Sequence, residues 1–244
     1  MTTNPISRRA FALALSGQAA TLLAGCNDPK REIKDVKSAL QLAYGQKKFK
    51  EVLGLAQKGL ELASDALGSK HPDTLYFAQS ISEALTELGD KKNAIPALGR
   101  EIKLRLAAGQ SERKLQGRRT LAIKFAEETN NKSVAIEHAL AISRDLEMTP
   151  GKDPQPVYRP ETGYPVSMVS SGVEADVTVE YAIDEDGAVT QAKVVKATSS
   201  GFDQAALDGI KKWRFTPILK DGIPTTSAGH KFTLMFRLGA RGAK

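Results

Sequence analysis

Cys26 is the single thiol of the chain. A thiol is a strong nucleophile by nature, and this one stands directly after an apolar stretch, Phe11 to Ala24, broken only by Ser16, Gly17, Gln18 and Thr21. The small residues Ala24 and Gly25 before it leave room for a peptidase and for a modifying group. The other chemically capable residues do not assemble. His71, His138 and His230 are far apart and lack the spacing of a metal-binding helix. Asp184-x-Asp186-Gly187 resembles the start of a calcium loop, but the downstream glutamate is missing and strand-like segments flank it, so it reads as a hairpin turn. One cysteine excludes an internal disulfide framework and a multi-cysteine zinc site. No glycine-rich phosphate loop follows a strand and no nucleophile elbow occurs. The expectation is a binding protein, not an enzyme, with no metal, no cofactor and one covalent modification.

The elements around Cys26 give that modification a context. Arg8 and Arg9 precede the apolar run, which is short for a membrane-spanning helix of about 20 apolar residues. A basic start, a short apolar run and small residues form the layout of a secretory signal. Ser7-Arg8-Arg9-Ala10-Phe11 resembles the twin-arginine export motif, with Arg8, Arg9 and Phe11 as its matching residues. Leu23-Ala24-Gly25-Cys26 resembles the lipobox of bacterial lipoproteins. That resemblance implies removal of residues 1–25, lipidation of Cys26 as the new amino terminus, and a periplasmic body anchored to the inner or the outer membrane. Several acyl chains on one cysteine hold firmly, since each buried methylene contributes ~0.8 kcal/mol.

The formal net charge is +7, and Arg8 and Arg9 of the leader supply two of those charges. The remaining excess is dispersed in pairs such as Lys47-Lys48, Lys91-Lys92, Arg118-Arg119 and Lys211-Lys212. Such pairs fit solvated helix faces better than a nucleic-acid footprint, so no nucleic-acid partner is expected.

From Ile33 to Leu146 the pattern is helical, with only Pro72 and Pro96 interrupting. Three segments each end a helix, turn through polar residues and start another: Tyr44 to Val52, Leu88 to Ala94, and Thr129 to Ala135. Val52, Ala94 and Ala135 occupy equivalent places, 42 and 41 residues apart. This region, residues 31–149, resembles tetratricopeptide repeats in the longer variant of kinesin light chains, as does the linker Gly68-Ser69-Lys70-His71-Pro72-Asp73-Thr74. In the linker Pro72 is expected to stop one helix, and Asp73 or Thr74 to cap the next. Gly59 stands where that family usually has alanine. Stacked helix pairs leave a concave groove, which the resemblance implies as a peptide site; a helical spacer is the other reading. Pro150, Pro154, Pro156 and Pro160 then mark a proline-rich linker, residues 150–160.

Beyond it, residues 161–240 read as a small α+β domain. Val177 to Ile183 alternates apolar and polar, Asp184 to Gly187 turns, and Ala188 to Ala197 returns, making a β-hairpin. A helix follows from Phe202 or Asp203 to Lys212, with Phe202, Ala206, Ile210 and Trp213 on one face and Ser200 or Asp203 as its cap. The last strand runs from Lys231 to Leu238, with Phe232, Leu234, Phe236 and Leu238 inward. Tyr164-Pro165, Asp184-x-Asp186-Gly187-x-Val189, Phe202-Asp203-x-Ala205-Ala206-Leu207, Lys212-Trp213-Arg214-Phe215-x-Pro217 and Asp221-Gly222-x-Pro224 together resemble the TonB C-terminal domain. The fold class expected is therefore α-helical hairpin repeats followed by a β-hairpin, a helix and an antiparallel strand. The resemblance implies a periplasmic domain that grips the TonB box of an outer-membrane TonB-dependent transporter, or another envelope protein, by adding a strand to an exposed sheet edge. Its implied edge residues here are Lys231, Thr233, Met235 and Arg237. A full energy transducer has a membrane-spanning helix and a long proline-rich segment. This sequence has a lipobox and a linker of about a dozen residues instead. An adaptor is one reading, and an envelope scaffold whose TonB-like domain engages no transporter is the other.

Overall fold

A computed structural model of the chain describes residues 28–238. Arg8, Arg9, Phe11 and Cys26 lie outside the described residues. Six long helices come first: α1 (Pro29–Gly45), α2 (Phe49–Leu67), α3 (Pro72–Glu87), α4 (Lys91–Ala107), α5 (Glu112–Glu128) and α6 (Lys132–Asp145). They pack as successive neighbours, in the manner of a one-dimensional array. The three turning segments seen in the sequence are the connections within the pairs α1–α2, α3–α4 and α5–α6. Val52, Ala94 and Ala135 each sit in the first turn of the second helix of a pair and are fully buried. The small side chain is what lets the two helices approach.

The linker between α2 and α3 is built differently from the expectation. Helix α2 ends at Leu67, before Gly68, and Pro72 opens α3 as its first residue, where a missing N–H costs nothing. The cap is His71, whose Nδ1 accepts from the Asp73 N–H at 3.2 Å. Thr74 instead donates its hydroxyl to the Gly68 carbonyl at 2.8 Å, and Asp73 pairs with Lys37 of α1. Gly59 also has a local cause, because a Cβ there would overlap the ring of the fully buried Phe77.

A charged network crosses the middle of the helical region. Glu101 of α4 is fully buried, accepts from Ser82 Oγ at 2.6 Å, and is held by Arg105 at 2.9 Å and Arg118 at 3.2 Å. Arg118 also reaches Glu83 at 2.6 Å. Its neighbour Arg119 is buried, paired with Glu112 at 2.8 Å. Arg118-Arg119 is therefore not the solvated pair that the sequence suggested, because α5 faces α3, α4 and α6 rather than water along this stretch.

The carboxy-terminal unit contains β1 (Pro156–Tyr158), α7 (Val166–Val169), β2 (Ala175–Ile183), β3 (Val189–Ala197), α8 (Asp203–Ile210), β4 (Arg214–Phe215), β5 (Ile218–Lys220), β6 (Ile223–Thr225) and β7 (Ser227–Phe236). The main sheet is antiparallel in the order β3-β2-β7, with two-stranded ribbons β1-β4 and β5-β6 beside it. Helix α8 lies across β2 and β3. Phe202, Ala206, Ile210 and Trp213 are buried with Val177, Val179, Leu234 and Phe236 in one core, each large side chain stabilising the unit by ~2 kcal/mol.

Three local expectations need correcting here. The N-cap of α8 is Phe202, without a side-chain cap bond, so neither Ser200 nor Asp203 serves; burying the Phe202 ring fixes the helix entry instead. The last strand begins four residues earlier than expected and ends at Phe236, leaving Leu238 half-buried past its end. The proline-rich segment is no free spacer, since Pro156 pairs with Phe215 and Tyr158 with Arg214. Proline is tolerated in such a short edge strand.

Candidate strand-addition site

Of the two edges of the main sheet, β3 is blunted. Its pairing with β2 is broken by two register shifts, one between Thr178 and Val179 and one between Glu180 and Ala182. Gln191 has a positive φ of 49° within the second irregularity. Lys193 and Lys196 project from the same strand. Bulges and lysines are the usual means of closing an edge to further pairing. The β7 edge differs. From His230 to Phe236 it pairs residue for residue with Tyr181 to Ala175, and β2 is its only strand neighbour among the described residues. In a regular antiparallel pair, alternate residues direct N–H and C=O away from the partner, so the outer side of β7 carries a row of free main-chain donors and acceptors.

Of the four residues singled out from the sequence, Lys231, Thr233 and Met235 share one face of that strand, and Arg237 follows directly after its end. Lys231, Thr233, Met235 and Arg237 are exposed, while Leu234 and Phe236 point into the core. Three of the four are tied to β2. Lys231 lies 3.3 Å from Glu180, which Lys193 also contacts at 2.8 Å; hydrogen bonds from Lys193 and then Lys231 hold that carboxyl below its usual value. Thr233 and Thr178 hydroxyls are 2.9 Å apart. Arg237, just beyond the strand end, reaches Asp176 at 2.5 Å and donates to the Ala175 carbonyl at 3.0 Å. These contacts fix the register of β7. Met235 is 71% exposed, a large apolar side chain facing water.

Sequence reasoning missed the opposite wall. Residues 159–162 run beside the β7 edge, leaving a cleft between them that is floored by Trp213 and bordered by Phe232 to Phe236. The Arg159 guanidinium lies over the rings of Trp213 and Phe232, at 4.6 and 4.4 Å from their centroids, a cation held by two aromatic faces. Trp213 Nε1 and Thr162 Oγ1 are buried with no hydrogen-bond partner among the described residues. Unmet polar atoms in native interiors are uncommon and costly, and here both belong to residues that line the cleft. Only the positions of Trp213 on its helix face and Phe232 on its strand were legible beforehand. That Arg159 would fall on both depends on pairing across more than fifty residues.

The turn opposite this edge is structural. Asp184 Oδ1 accepts from the N–H groups of Asp186 and Ala188 at 3.0 and 2.8 Å. Gly187 has φ of 82°, and a Cβ on it would collide with the Phe215 carbonyl. The three histidines are dispersed: His71 caps α3, His138 packs on Arg119, and His230 lies 2.9 Å from Ser227 Oγ. Among the described residues no cluster of three acidic, histidine or cysteine side chains could hold a metal ion, and no helix is long and apolar enough to cross a membrane.

The carboxy-terminal sheet thus has one edge interrupted by two register shifts, one edge regular over seven residues, and an aromatic-floored cleft beside the latter. Residues 160–238 match the family model for the Gram-negative bacterial TonB protein C-terminal. Protein TonB of Yersinia enterocolitica is 32% identical over 74 residues, covering 30% of this chain and 29% of that protein. Protein TonB of Vibrio cholerae serotype O1 is 37% identical over 70 residues, covering 28% of each. The chain thus spans under a third of the length of these relatives. A solved structure described as the molecular characterization of the TonB2 protein from Vibrio anguillarum is 32% identical, covering 35% of this chain and 81% of that one, with a TM-score of 0.29.

Proposed function

We propose that this chain is a lipid-anchored periplasmic adaptor whose TonB C-terminal domain binds an extended segment of an outer-membrane transporter by strand addition to β7. The observation that carries the reading is the contrast between the sheet edges: β3 is closed by bulges and lysines, whereas β7 is regular over seven residues and faces an open cleft. Main-chain hydrogen bonds along such an edge supply affinity, and the flanking pockets select side chains. Lys231, Thr233, Met235 and Arg237 hold and present the strand, and Arg159 and Trp213 form the wall that the guest touches. The tetratricopeptide-like helices serve as a recognition surface, and Cys26 carries the lipid.

Trp213 is the only tryptophan in the chain, so the cleft has its own fluorescent reporter. Titration with a synthetic TonB-box peptide should shift Trp213 emission saturably. Absence of any saturable change up to about millimolar peptide, an affinity of only ~4 kcal/mol, would discard the transporter reading.

A further inference from the structure

The cleft beside β7 does not end at its own walls. Arg159, Pro160 and Glu161, which face β7 on one side, also line a second hollow whose other wall is α5, at Gly117, Thr120, Leu121 and Lys124. Leu121 in turn lines a third hollow, formed with Tyr44, Phe49, Glu83 and Arg118 from the first, second, third and fifth helices. Three depressions joined by shared residues lead from the sheet edge to the helical array.

The two units are also fixed to one another across this path. Arg214 of β4 is buried, pairs with Glu127 of α5, and donates to the Asp186 carbonyl at 2.7 Å. The Leu219 N–H donates to the Met148 carbonyl at 2.6 Å, and the Thr216 N–H to the Gln155 carbonyl at 2.8 Å. Strand β1 packs on α5 while pairing with β4. The depressions therefore keep one alignment.

We infer that the β7 cleft and the helical hollows form one continuous track for a single extended polypeptide, rather than separate sites for two partners. This rests on the strand-addition reading for its first segment. A sheet edge accepts only extended main chain, and chain leaving the cleft at the Phe232 end passes Arg159, Pro160 and Glu161, which also line the next hollow. Half-buried apolar side chains recur along the way, at Tyr158, Leu121, Phe49 and Tyr44. Charges of both signs lie between them, Lys124, Glu128 and Glu161 in the second hollow and Lys47, Glu87 and Arg118 in the third. That lining suits a mixed segment with spaced apolar residues and does not suit a polyanion. The strand portion gives main-chain affinity, and the helical portion reads the residues beyond it.

Disulfide trapping tests the track in the full chain carrying Cys26→Ser. The probe is a synthetic peptide of about 14 residues, spanning ~45 Å when extended, with a TonB box near one end and a cysteine at either terminus. The box-end cysteine should couple to Met235→Cys. The far-end cysteine should couple to Thr120→Cys about tenfold faster than to Val195→Cys on the blunted edge, as tethering at one site raises local concentration at the next. A peptide cut to the box alone should couple at position 235 and not at 120. Coupling at 235 with no preference for 120 over 195 overturns the continuous track and leaves strand addition standing. No coupling at 235 overturns both.

Discussion

His138 of α6 sits buried against Arg119, whose guanidinium lies 2.9 Å from its Nδ1 and is itself held by Glu112. Burial first, and then the nearby Arg119 charge, push the His138 pKa down. Because the native state favours the neutral ring, the unfolded chain binds more protons once pH falls below the ordinary histidine value of about 6.5. Stability is then fully present above that value and declines on acidification toward the depressed native one. Urea unfolding between pH 7.5 and 5 should show this decline, and His138→Asn, which keeps an acceptor for Arg119 but cannot protonate, should flatten it. An unchanged slope would remove His138 as its cause. His230 is also depressed by burial, so a smaller slope of the same sign should persist. None of this was visible in the sequence, where His138 was one isolated histidine on a helix and Arg119 one of a surface pair.

At the scale of elements, what could be read in advance was whatever is local. The turning segments between helices fixed the three hairpins, because a turn of three residues and a small residue four positions later are short-range constraints. The alternation of Val177 to Ile183 and the face Phe202–Ala206–Ile210–Trp213 survived for the same reason. What escaped was long-range. Strand β1 hides in a proline-rich run because its partner β4 is nearly sixty residues away, and Glu101–Arg105 looks like an ordinary surface pair until Arg118 and Ser82 close over it. The contact between α5 and β4 is of this second kind. Glu127→Ala would leave Arg214 buried without its charge partner, a change that typically costs about 3 kcal/mol. Because that pair joins the helical and sheet units, calorimetry should resolve one transition in the parent chain into two in the variant, the mark of lost coupling. A single transition shifted only slightly would assign the docking to β1 and the Met148–Leu219 contact instead.

For the whole molecule, the described body begins with α1 at Pro29, three residues after Cys26. A lipid on that thiol would hold the first helix pair close to the bilayer and place the sheet unit at the opposite end of the array. Labelling cells with a radioactive fatty acid should mark the parent chain and leave Cys26→Ala unlabelled. Label persisting in the variant would refute the site. The family resemblance reached the sheet unit through five short motifs in register, but their order says nothing of Arg159, which lies just before the matched segment and lines the cleft.

A sheet with one sealed margin and one open margin has a fixed capacity. On the strand-addition reading it offers one seat for a guest, since the other rim, β3, is broken by two register shifts. Two copies of the chain could meet only open rim to open rim, and each would then extinguish the other's docking surface. Self-association by this route and recognition of a foreign segment are mutually exclusive, so crowding on a membrane would act as a brake on binding rather than as a route to fibres.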